Sequence, residues 1–251
     1  MRQMIFKTMM CTMLGIASVS VSANEPFEAS IGGSLVSGYV WRGQELGGFS
    51  VQPTASVSWK GLFLTAWGSV GLKETEDIGG SFSDAKEFDL TLGYAYEGFS
   101  ISVTDYWFNC AYNNYSGEAI SGDYFHYGSR STSHVFEAQI GYDFGFLAAN
   151  WYTNFAGNDG LNKNGKRAYS SYFSLAAPFS FAGLDWKAEV GATPWATTFY
   201  NGGASRFEVS EISLKAMKTI KMTKSFSLPL SAKVVLNPAT EGAYFVLGLD
   251  L

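Results

Sequence analysis

The sequence predicts an all-β chain closed into one antiparallel transmembrane β-barrel of about 12 strands. Three observations predict it: segments whose side chains alternate between apolar and polar, connections that are short and long by turns, and aromatic residues gathered at segment ends. In Val51 to Trp59 the odd positions are Val51, Pro53, Ala55, Val57 and Trp59, and the even ones are Gln52, Thr54, Ser56 and Ser58. Neighbouring side chains on a strand point to opposite faces, so this segment has one apolar and one polar face.

Residues 1–23 read as a secretory signal peptide, expected to be cleaved. Arg2 and Lys7 supply a positive start, Met9 to Val19 is largely apolar, and Val21-Ser22-Ala23 is a small-residue cleavage site. The expected mature unit is 24–251, a single outer-membrane barrel domain. Without Arg2 and Lys7 it carries 15 basic residues against 22 acidic ones. That balance excludes nucleic acid as a partner, because phosphate binding needs a basic face. Cys110 is the one cysteine left after cleavage, so no internal disulfide framework is expected. No HExxH, CxxC or Gly-rich nucleotide loop occurs, and no catalytic site, metal or cofactor is expected.

Twelve alternating segments follow, at about 28–42, 51–60, 62–72, 86–97, 99–108, 132–144, 146–156, 168–179, 184–194, 205–219, 225–236 and 242–251. Gly, Ser, Thr and aromatic residues dominate them, which disfavours helix. Short turns are expected at Lys60-Gly61, Glu97-Gly98, Phe144-Gly145, 180–183 and 220–224. Longer loops are expected at 43–50, 73–85, 109–131, 157–167, 195–204 and 237–241. Outer-membrane barrels show this asymmetry, with tight periplasmic turns and longer external loops.

Phe88, Leu90, Leu92, Tyr94 and Tyr96 share one face of a segment whose other face holds Glu87, Asp89, Thr91 and Gly93. Leu184, Trp186, Ala188 and Val190 likewise oppose Asp185, Lys187 and Glu189. Aromatics near turns point the apolar face toward lipid, since Trp and Tyr favour membrane interfaces. The expected girdle is Trp41, Trp59, Tyr94, Tyr96, Trp107, Tyr142 and Trp186. The expected lumen lining is Arg42, Asp89, Glu137, Asp143, Asp185, Lys187, Glu189, Lys215 and Lys233, with Glu28, Lys60, Glu208 and Asp250 on the same face. Asp105 and Glu211 break the alternation and are expected at bulges or beyond the bilayer edge.

The opening stretch carries Ser37, Tyr39, Val40, Arg42 and Gly43 in an S-x-Y-V-x-R-G pattern. Pro53, Gly61, Phe63, Trp67 and Ser69 follow in a hairpin pattern. Over about 40 residues it resembles the TorF-like porin family, also called Gcw_chp. The resemblance implies an outer-membrane barrel and, through architecture, transport. Where such families end in Phe, this chain ends in Leu251.

The function expected is a narrow porin or channel for passive passage of small hydrophilic solutes. A sealed structural or surface-interaction barrel and an outer-membrane lipid-modifying enzyme are the alternatives. The expected partners are outer-membrane lipids, the barrel-assembly machinery and a small solute. Arg42 is placed at the outer end of the first strand, facing a solute or paired with Glu45 or Asp89. The loop 109–131 is read either as an exposed loop or as one folded inward. For an enzyme, His134 would be the base, with Ser131 or Ser133 beside it and Asn113 or Asn114 in the loop.

Overall fold

A computed structural model describes residues 27–72, 75–76, 82–83, 86–109, 111–223 and 226–251. The proposed signal peptide, Cys110 and much of loop 73–85 lie outside the described residues.

Twelve strands form the closed sheet: β1 (Phe27–Val36), β2 (Ser50–Trp59), β3 (Leu62–Gly71), β4 (Lys86–Tyr96), β5 (Phe99–Phe108) and β6 (His134–Asp143). They continue with β7 (Ala148–Gly157), β8 (Ser171–Phe181), β9 (Leu184–Thr193), β10 (Glu208–Lys221), β11 (Ser227–Asn237) and β12 (Gly242–Asp250). Each pairs antiparallel with the next, and β1 closes the ring on β12 through Ser34↔Asp250, Leu35↔Leu249 and Val36↔Gly248. A closed sheet has no edge, which removes the unpaired backbone groups that lipid does not tolerate. Most strands have 9–11 residues, the length a tilted strand needs to cross a bilayer.

Connections at one end are tight. Lys60-Gly61, Glu97-Gly98 and Ala182-Gly183 each pair a residue at φ 46–54° with a Gly at φ 73–89°. Two successive positive φ values mark the primed turn whose twist matches antiparallel strands. The other end carries the long connections, except that the loop expected at 237–241 is a four-residue turn, 238–241, closed by the pairing of Asn237 with Gly242.

Side chains sort with the greasy face out. Ile31 is 78% exposed and Leu92 61%, and Leu64, Ile101, Val103, Ile140, Leu214 and Leu247 are exposed beside them. Inside stand Ser34, Thr54, Thr65, Ser69, Glu87, Asp89, Ser102, Thr104, Glu137, Ser174 and Ser213, all buried. In water this arrangement would leave the apolar face unburied and bury the polar one. In lipid it is the stable one. Inward polar groups bond across strands: Ser30 to Ser56 at 2.7 Å, Thr91 to Thr104 at 2.9 Å, and Ser102 Oγ donating to Gln139 Oε1 at 2.8 Å.

Two register shifts tune the wall. Phe155 is skipped where Phe136 pairs Ala156 and Glu137 pairs Asn154, and Ser210 is skipped where Gly191 pairs Glu211 and Ala192 pairs Val209. The second shift is the bulge expected at Glu211. This residue faces the lumen, where Lys233 Nζ donates to its Oε1 at 2.7 Å. A bulge changes which face the following residues occupy.

Candidate functional site: a plugged lumen

The first strand stops at Val36, short of the expected residue 42. Val36 pairs with Ser50, so β1 and β2 already end opposite one another. The 13 residues between them are surplus to barrel closure. They form a small hairpin, Tyr39–Trp41 against Gln44–Gly47, turned at Arg42 (φ 50°) and Gly43 (φ 77°).

This hairpin folds into the barrel. The Tyr39 ring lies 5.6 Å from Trp67 on β3. Asn237 on β11 donates its Nδ2 to the Gly43 carbonyl at 2.9 Å. Asn201, in loop 194–207, donates its backbone N–H to Gln44 Oε1 at 3.0 Å. Gly43 presses so closely on β10 that a Cβ there would sit 1.8 Å from the Ser210 carbonyl oxygen. Glycine is therefore demanded at this turn twice, by the positive φ and by the approach.

Arg42 is the centre of the plug. Its Nη2 donates to Glu137 Oε1 at 2.8 Å and its Nη1 to Glu137 Oε2 at 2.5 Å, a two-pronged planar match. Nη1 also donates to the Tyr200 hydroxyl, and Tyr106 donates to Glu137 Oε1 at 2.8 Å. The guanidinium carbon lies 4.2 Å from the Trp41 ring centroid, 4.1 Å from Tyr152 and 4.9 Å from Tyr172. Arg42 is 8% exposed, Glu137 2% and Tyr200 0%. Room for Tyr172 comes from Gly191, where a Cβ would fall 1.7 Å from the phenol oxygen.

Two expectations are thereby corrected. Arg42 pairs with neither Glu45 nor Asp89, because the chain turns inward before reaching it and delivers it to Glu137. Trp41 does not join a lipid-facing girdle: it rides the same hairpin and packs edge-on to Tyr106 at 5.8 Å and Phe199 at 6.3 Å. Asp89 lies on β4, hydrogen-bonded to Glu87.

Toward the short-turn end the lumen holds a charged vestibule. Lys187, Lys215 and Lys233 stand in register across β9, β10 and β11. Lys187 pairs with Glu189 at 2.7 Å and Lys233 with Glu211 at 2.7 Å. Asp143 and Asp185 sit at the rim, the first accepting from the Gly145 N–H at 2.7 Å and the second from Ser180 Oγ at 2.9 Å. Lys60 lies over Trp59 at 4.9 Å, at that same rim. Glu208 is at the opposite mouth, accepting from Asn201 and Ser205.

Trp59, Tyr94, Tyr96, Tyr142 and Trp186 stand on the outward face near the short turns, with Trp186 stacked on Phe179 at 6.2 Å. Trp107 faces outward near the long-loop end, covered by Tyr124 at 5.7 Å.

Residues 112–133 of the long loop fold over the outside of the wall. Tyr124 packs on Phe88 and Trp107, and it covers His134. His134 is fully buried, its Nδ1 2.7 Å from Asp105 and its Nε2 2.6 Å from the Tyr124 carbonyl. This leaves no free ring nitrogen for the general base that an enzyme would need there. It also accounts for Asp105, an acid on the apolar face whose partner is the histidine beside it. The nearest Ser–His contact in this loop is Ser131 Oγ with His126 Nε2 at 3.1 Å, on the exposed side. Ser133 is committed to the Ser121 carbonyl at 2.9 Å.

Beside the Arg42 site, Asp159 accepts from the Ser170 N–H at 3.2 Å and from Asn154 Nδ2 at 3.2 Å. Burial pushes its carboxyl above the ordinary range, and hydrogen bonds from Ser170, Asn154 and Gly160 pull it partly back.

Fold and lumen together define a membrane-spanning antiparallel barrel with an internal plug. No protein-family profile matches the chain, and no curated protein matches it. The TorF-like resemblance rests on the opening motif alone. A solved structure described as a Salmonella typhi OmpF complex with daunomycin is similar to the chain at 10% sequence identity, with a TM-score of 0.35. The match covers 92% of this chain and 99% of that one.

Proposed function

We propose that this is an outer-membrane barrel that serves as a gated channel for small hydrophilic solutes, held shut by the hairpin within 37–49. One observation carries the reading: a segment unnecessary for barrel closure is folded into the lumen and locked there by the buried Arg42–Glu137 pair, above a charged vestibule. Lumen charges set which solutes pass a pore, and the row of Lys187, Lys215 and Lys233, offset by Glu189 and Glu211, would be the selective surface once the hairpin leaves. An outer-membrane location and export through residues 1–23 are part of the same proposal, supported by the lipid-facing exterior and by the sorting of short and long connections to opposite ends.

Planar-bilayer recording tests it. The unaltered protein should show rare, brief openings. A variant in which 37–49 is replaced by a four-residue turn between Val36 and Ser50 should conduct steadily. A folded replacement variant that carries no current would favour the second reading, a sealed structural barrel. That alternative draws its support from the cross-strand hydrogen bonds knitting the inner wall.

A further inference from the structure

We infer that the chamber closed by Arg42 is a binding site for small guanidinium compounds, and that Arg42 occupies it as a built-in ligand. Of the groups around the guanidinium, Trp41 alone travels with the hairpin. Glu137 belongs to β6, Tyr106 to β5, Tyr152 to β7, Tyr172 to β8 and Tyr200 to loop 194–207. If the hairpin leaves, four of those five stay on the wall and Tyr200 on its loop, as one carboxylate and four phenols around an empty space the size of a guanidinium.

A segment needed merely to fill the lumen has no use for this chemistry. A buried ion pair generally returns less than well-packed apolar residues of the same volume, because both ions must be desolvated. The arrangement instead has the parts of a recognition site. The Glu137 carboxylate meets two parallel N–H groups in one plane, a geometry that guanidinium supplies and an ammonium does not. The rings of Tyr152 and Tyr172, at 4.1 and 4.9 Å, offer the negative faces that favour a weakly hydrated cation. Glu137 is held for the task by Tyr106, and Tyr172 by the space at Gly191 and by Glu211, which accepts from its hydroxyl at 3.4 Å.

A guanidinium solute entering the lumen would compete with Arg42 for Glu137 and so favour the released hairpin. This rests on reading 37–49 as a removable plug, but binding is measured apart from conduction.

The test titrates purified barrel in detergent micelles with L-argininamide by calorimetry, with lysinamide and choline as comparison cations. The Arg42→Ala chain, its cage vacated, should bind argininamide at least tenfold tighter than the unaltered chain does, and at least tenfold tighter than either comparison cation. Adding Glu137→Gln to Arg42→Ala should abolish the preference. The variant lacking 37–49 should behave like Arg42→Ala, which covers the case in which the single substitution fails to fold. No saturable binding in whichever vacated chain folds, or equal binding with and without Glu137, overturns the inference. Binding without any gain in bilayer current leaves the site standing and refutes the channel reading instead.

Discussion

Replacing Glu137 with Gln isolates the electrostatic part of the plug, because the side chain keeps its size and one oxygen. In the native site both carboxylate oxygens accept from Arg42, and Oε1 also accepts from Tyr106. The amide retains one acceptor and turns an NH2 toward a guanidinium that cannot shed its proton. Removing one partner of a buried ion pair costs about 3–5 kcal/mol, because the other charge is left uncompensated. The Tyr200 hydroxyl still accepts from the guanidinium and the amide keeps one acceptor, so the lower end of that range applies. At 1.4 kcal/mol per tenfold, about 3 kcal/mol shifts the ratio of inserted to released hairpin by roughly 100-fold. The backbone pairing of β6 with its neighbours is untouched, so this energy should appear as hairpin release and not as unfolding. Trypsin reads it directly: the Arg42–Gly43 bond is sealed in the inserted state and cleavable in the released one. With the barrel in vesicles, cleavage after Arg42 should accelerate toward 100-fold in Glu137→Gln, while heat-induced unfolding stays within a few degrees. Equal cleavage rates in the two proteins would refute the lock.

Gly43→Ala should release the hairpin by a different route, since its Cβ meets the Ser210 carbonyl oxygen at 1.8 Å at a φ of 77°; cleavage after Arg42 should rise as in Glu137→Gln. Leu92→Lys places a charge on the mid-barrel lipid face and should cost about 2–4 kcal/mol in denaturant titrations of folding into vesicles. A cost near zero would mean that this face does not meet lipid. Asp159 has a folded pKa above its unfolded one, so its favourable contribution is fully present below the ordinary Asp value of about 3.9 and is lost as pH rises through the raised value. Asp159→Asn should therefore flatten the decline in melting temperature above pH 4, and an unchanged profile would remove Asp159 as its source.

The barrel was legible because lipid imposes a strict demand on sequence. A strand crossing a bilayer must present apolar groups at every second position, and Phe88 through Tyr96 or Leu184 through Val190 do so without a break. The primed turns were legible for a similar local reason, since Lys-Gly, Glu-Gly and Ala-Gly pairs carry their backbone preference with them. The plug was hidden because strand and turn signals run on past the end of β1. Tyr39-Val40-Trp41 is aromatic and β-branched like a strand, and Arg42-Gly43 is a turn of the kind found at Lys60-Gly61. The β-favouring run therefore read as one strand to residue 42. Whether a hairpin extends the wall or folds into the lumen depends on pairings with residues far along the chain, and Glu137, Tyr152, Tyr172 and Tyr200 lie 95 to 158 positions away. One signal was present: an Arg beside a tight turn, in a stretch otherwise nearly free of basic residues, needed a distant acceptor.

His134 and Asp105 show the same limit from the outside of the wall. Each breaks the apolar pattern of its own strand, and each alone reads as a charge stranded near lipid. They lie diagonally on adjacent strands, two residues out of register, since His134 pairs with Trp107 and Phe136 with Asp105. The 2.7 Å contact between them, with the Tyr124 carbonyl on the far ring nitrogen, converts two expensive exposures into one covered pair that ties residues 112–133 down. Removing either residue alone leaves the other unmatched beneath the aromatic cover, whereas removing both together leaves an apolar surface that lipid or Tyr127 can meet. A double-mutant cycle on His134→Leu and Asp105→Leu, read by protease susceptibility of the 109–133 loop, should show each single change loosening the loop more than the pair of changes does. Simple additivity would mean that the two residues act independently.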